Sequence, residues 1–148
     1  MKNVKEQVRV DVLYAKDNFV RTTEETTAAT INYAKGKFDV KAAELKQEDI
    51  TAFEAFATEA LANPKREMKG INIMSYASPE GEVDKNANLA SDRAGSAATY
   101  VNKLMTKINF EAGQQASFVT QSPKGEDWDG FKAEVQKTSH EDKELILR

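Results

Sequence analysis

The chain has 148 residues, a net charge of −3 from 21 basic and 24 acidic side chains, and no cysteine. That length suits one domain around one core, and the small, mixed charge provides no broad basic surface for a nucleic-acid backbone or an anionic membrane. The missing thiols exclude disulfides, thiol catalysis and cysteine-based zinc sites, and no apolar run approaches the ~20 residues that a membrane-spanning helix needs.

At the amino end Val8, Val10 and Val12 alternate with Arg9 and Asp11, the pattern of a short strand with one buried face. Residues 17–27 are polar and threonine-rich, so residues 1–27 read as an extension or connector and the domain is expected over 28–148. Ala29, Ile31 and Tyr33 alternate into an expected first strand, Ala34-Lys35-Gly36-Lys37 gives a turn, and Phe38 and Val40 continue in extended form. Over residues 47–62, Ile50, Phe53, Ala57, Ala60 and Leu61 recur at helical spacing before Asn63-Pro64 ends the run. Ile71-Asn72-Ile73-Met74 then alternates as a buried strand does.

A second helix is predicted from about residue 84 to 108, with Ala87, Ala90, Ala94, Ala97, Val101, Leu104 and Ile108 on one stripe. Its first half is narrow enough to lie close against a sheet. Ala116, Phe118 and Thr120 predict another strand, and residues 125–137 a loop with Trp128 followed by a short helix containing Phe131 and Val135. Ser139-His140-Glu141-Asp142 has the form of a capping box opening a last helix. The order β-α-β-α-β predicts an α+β fold, a two-layer sandwich with helices on one face of a mixed sheet. The last helix meets no stop signal before Arg148, which supports the expectation that the chain is a piece of a longer protein.

The chemistry concentrates where the predicted strand meets the second helix. Pro79 biases Ser78 toward an extended backbone, and Gly81 can take the positive φ of a sharp turn, so the chain turns hard beside Ser78. Asn86, Ala90 and Arg93 share one side of the helix. A guanidinium beside an apolar stripe calls for an anionic partner. Two readings follow: a structural ion pair with Glu80, Glu82 or the preceding loop, or a clamp that holds a ligand carboxylate by two parallel hydrogen bonds. Asn86 is read as holding the loop to the helix start. The amides around Gly81 and Glu82 either attract a carboxylate at the positive helix end or serve as ordinary caps, and Tyr76 is core or pocket wall.

No catalytic, metal or cofactor site is expected. His140 is the only histidine and reads as a surface residue, without convergent ligands for a metal or a glycine-flanked serine for nucleophilic catalysis. Glu24-Glu25 and Glu141-Asp142 read as solvated pairs, and Trp128 as an anchor of its loop on the core in preference to a stacking face for a sugar.

The run Ser75-Tyr76-Ala77-Ser78-Pro79-Glu80-Gly81, followed by Asn86, Leu89, Ala90, Arg93 and Ala94, resembles the peptidoglycan-binding domain of the OmpA family. That family's motif is a strand, Asp-x-x-Gly, a helix opening near Asn-x-x-Leu-Ser, then Arg-Ala. Gly81, Asn86, Leu89, Arg93 and Ala94 fall in the matching places, Ala90 stands where the family has serine, and Ser78 replaces the aspartate. The wording around Ser78, with Gly125-Glu126-Asp127-Trp128, is similar to the variant in Bacteroidetes outer-membrane proteins, and the likeness covers residues 28–148.

The resemblance implies an OmpA-like, non-enzymatic structural protein of the periplasm, associated with the cell outer membrane, that binds peptidoglycan and anchors an outer-membrane protein or complex to the cell wall. In the family the arginine grips a carboxylate of diaminopimelate in the stem peptide, and the aspartate holds its ammonium group. Carried over, Arg93 is the clamp, with Ser78, Asn86, Glu80 and Gly81 as weaker contributors. Ser78 can hydrogen-bond an ammonium but brings no charge, which predicts weaker binding; Glu80 is the nearby candidate to supply it. The alternative is a domain of the same fold that has lost wall binding and serves as a protein–protein assembly module of a cell-envelope complex.

Overall fold

A computed structural model describes residues 20–139 and 141–147; the alternating valines at 8, 10 and 12 and His140 lie outside them. The described chain is α+β. Its elements are α1 (Glu48–Ala62), β1 (Ile71–Ala77), α2 (Val83–Lys107), β2 (Val119–Glu126), α3 (Trp128–Lys137) and α4 (Lys143–Ile146), with short 3-10 turns at Glu44–Lys46 and Glu111–Gln114. The strands are parallel, in register from Ile71 opposite Val119 to Ala77 opposite Glu126. Parallel neighbours require a crossover, and α2 supplies it. The register slips between Ser75 and Tyr76, which face Pro123 and Gly125, so Lys124 is the extra residue of a bulge.

The alternation of β1 sorts its faces. Ser75 and Ala77 are buried against α2, Ile71 and Ile73 are partly buried, and Asn72, Met74 and Tyr76 are exposed. Small residues let the helix come close: Ala90 and Ala94 have 0% and 1% of their surface exposed. The approach is close enough for Ser75 Oγ to donate to the carbonyl of Ala90 at 2.7 Å. Farther along α2 the side chains grow, and Val101, Leu104 and Met105 join Ala57 of α1 and Phe118 in the main core cluster. Phe118 also meets Phe110 edge to face at 5.2 Å.

Several expectations are corrected. Residues 29–33 form no strand among the described residues. Two of their amides bond to carboxylates instead: that of Thr30 donates to Asp49 Oδ2 at 2.6 Å and that of Asn32 to Glu44 Oε2 at 3.1 Å. The turn after them does form, with Lys37 donating to the carbonyl of Ala34 at 3.0 Å. Leu61 and Ala87 face outward, whereas Met105, off the predicted stripe, is fully buried. β2 starts three residues past Ala116 and runs on through Gly125 and Glu126, so the expected loop shrinks to Asp127. Asp127 caps α3, its Oδ1 accepting from the amide of Gly130 at 2.8 Å. The last helix is capped at Asp142, not at Ser139.

Candidate functional site

Between β1 and α2 the chain reverses within a few residues. The amide of Glu80 donates to the carbonyl of Ser78 at 2.7 Å, and Gly81 takes a φ of 96°, a conformation that side chains disfavour. Asn86, 7% exposed, locks this turn to the sheet. Its Nδ2 donates to the carbonyl of Glu80 at 3.1 Å and to Glu126 Oε1 at 2.8 Å. The other carboxylate oxygen, Glu126 Oε2, accepts from Trp128 Nε1 at 2.9 Å. One carboxylate at the end of β2 thus joins the opening of α2 to the opening of α3.

Two turns of α2 farther on, Arg93 is 8% exposed. All of its side-chain nitrogens donate to backbone carbonyls: Nε to Lys37 at 2.9 Å, Nη1 to Tyr76 at 2.8 Å and Nη2 to Ala34 at 3.2 Å. The guanidinium carbon lies 5.1 Å from the centre of the Tyr33 ring. The Tyr33 hydroxyl in turn donates to the carbonyl of Arg93 at 3.1 Å. Arg93 therefore fastens the turn at 34–37 to the end of β1. Burial pushes its pKa below the ordinary guanidinium value, and Tyr33 partly opposes that shift.

The ion pair with Glu80 or Glu82 is not formed. Glu80 pairs with Lys35, and Glu82 with Lys85 at 2.9 Å; among the described residues no carboxylate lies within ion-pair distance of Arg93. Among the described residues its positive charge is hydrogen-bonded but not neutralised.

Arg93, Tyr76, Ser78, Pro79 and Glu80 all line one cleft of about 1790 Å³. Of these, Ser78 and Glu80 are exposed. The cleft continues past apolar side chains of α1 and α2, among them Ile50, Phe53, Ala57 and Val101. Gly81 and Asn86 do not line it, and Tyr76, 39% exposed, is wall and not core. Trp128 does not anchor in the core either. It is 52% exposed and meets Phe131 edge to face at 6.1 Å.

The sequence reading missed the carbonyls of Ala34, Lys37 and Tyr76 as the partners of Arg93, because a main-chain acceptor leaves no mark on residue identity. It also passed over Glu126, whose role depends on the bulge in β2. Among the described residues no group of three or more histidine, cysteine or acidic side chains could hold a metal ion, and no helix is long and apolar enough to cross a membrane. No family model matches this chain, and no curated protein matches it.

Proposed function

We propose that the chain is an OmpA-like domain that binds the peptidoglycan stem peptide non-covalently and ties an outer-membrane protein or complex to the cell wall. The observation that carries this reading is Arg93: a buried cation on a cleft wall, with carbonyl partners but no anionic one among the described residues. A guanidinium has five N–H donors, and each Nη here uses one of its two. Among the described residues one hydrogen on each remains without an acceptor, the number that a ligand carboxylate takes in a fork. Ser78 and Glu80, on the same cleft, are the groups to meet the ammonium of diaminopimelate, while Asn86 and Gly81 act by holding the turn.

Ser78→Asp tests the proposal without disturbing Arg93. Restoring a charge at the exposed turn turns a neutral contact into a charge-assisted one, roughly twice as strong, so affinity for a diaminopimelate stem peptide rises several-fold in calorimetric titration. Equal affinity of the two proteins for that peptide counts against the clamp.

A second reading, an assembly module of a cell-envelope complex, is favoured by one feature. Met74, Tyr76, Trp128 and Phe131 are 58, 39, 52 and 38% exposed, and Trp128 and Phe131 meet edge to face as one exposed aromatic pair. That reading predicts a protein partner retained from envelope extracts freed of wall fragments.

A further inference from the structure

The turn at 34–37 touches both of the charged groups that the proposed ligand needs. It is tied to Arg93, whose Nη2 and Nε donate to the carbonyls of Ala34 and Lys37. From the same turn Lys35 reaches to the neighbouring turn at Ser78, where its ammonium pairs with Glu80 Oε2. Both backbones are fixed. The amide of Lys37 donates to the carbonyl of Ala34 at 3.0 Å and Gly36 takes a φ of 64°. The amide of Glu80 donates to the carbonyl of Ser78 at 2.7 Å, and its own carbonyl accepts from Asn86 Nδ2. The two side chains themselves are 81% and 56% exposed, so the pair can open without moving either turn.

We infer, resting on the peptidoglycan reading above, that Lys35 is a built-in competitor for the ammonium of the ligand: it holds the Glu80 carboxylate until diaminopimelate displaces it. Both are primary ammonium groups with three donors and no acceptor, and they compete for the same charge partner. Lys35 has the advantage of its tether, which gives it an effective concentration on the order of millimolar that dilution does not lower. An exposed pair is nonetheless weak, so displacing it lowers the affinity of a ligand only about two- to fivefold. The consequence is selectivity. A simple amine has nothing to offset that loss, whereas a ligand that also brings a carboxylate to Arg93 gains a second, charge-assisted contact as it displaces Lys35.

Lys35→Met keeps an unbranched side chain at this exposed position and removes its ammonium. In calorimetric titration of the full chain it should tighten binding of a purified diaminopimelate-containing stem peptide about two- to fivefold. It should leave unchanged the affinity for the same peptide acetylated at its free side-chain amine. In a Glu80→Gln background the gain should vanish, because the two residues act through one contact. Equal or weaker binding of the unmodified peptide by Lys35→Met, with the wild type binding it, would overturn the competitor and leave wall binding standing. So would an equal gain for both peptides, which would make Lys35 a barrier to the cleft and not a rival for Glu80. No binding of either peptide by the wild type or by Lys35→Met would overturn the wall-binding reading itself, and the competitor with it.

Discussion

Arg93 brings a positive charge into a place where the only ordered acceptors among the described residues are carbonyls, arriving from three directions. A lysine at this position keeps the charge but is a point donor that cannot match the planar fork. Arg93→Lys should therefore cost about 1–3 kcal/mol, the range for leaving buried hydrogen-bonding groups unmade. Urea unfolding checks this, and a loss below about 0.5 kcal/mol would show that the carbonyls are satisfied without it. Tyr100 gives a pH test. Its hydroxyl donates to Glu54 Oε1 at 2.8 Å, and burial first, then the hydrogen bond and charge of Glu54, raise the phenol above its ordinary pKa. The folded state keeps the proton to higher pH than the unfolded one, so this contribution is complete below pH ~10 and fades as pH rises through the folded value. Between pH 9 and 11 the melting temperature of the wild type should fall more steeply than that of Tyr100→Phe.

At the scale of elements, α2 holds the site in place because its inner face is almost all alanine where it crosses β1. Ala94→Leu adds volume where 1% of the surface is free. Overpacking should destabilise the fold by about 1–3 kcal/mol, read again by urea unfolding; a neutral result would mean that helix and sheet can separate at low cost. The same alanines explain why α2 was legible in the sequence: their 3.6-residue recurrence appears only if one face is buried, and the observed bounds fall within a residue of the expected ones. β1 was legible from its period-2 alternation for the same reason. Segment 29–33 was not, because alternation predicts an extended backbone but not what its amides bond to. Here Asp49 and Glu44 take the place of a neighbouring strand. The site was legible in its residue types at the Ser78 turn and at Arg93. The partners of Arg93 were not, since they are main-chain atoms brought together from positions 34, 37 and 76.

Across the whole molecule, a single cleft joins the cation of Arg93, the exposed turn at Ser78 and the apolar flank of α1. Asn86, Glu126 and Trp128 brace the far side of that turn, so the turn is positioned by both strands at once. Under the proposed function this cleft receives a group that carries a carboxylate and an ammonium side by side. The most direct test is an NMR titration of the isotopically labelled full chain with a purified diaminopimelate-containing stem peptide. The account predicts saturable shifts that cluster on the amides of Ser78, Gly81 and Arg93. An absence of shifts at millimolar peptide would contradict it and leave the exposed aromatic surface as the feature that function must explain.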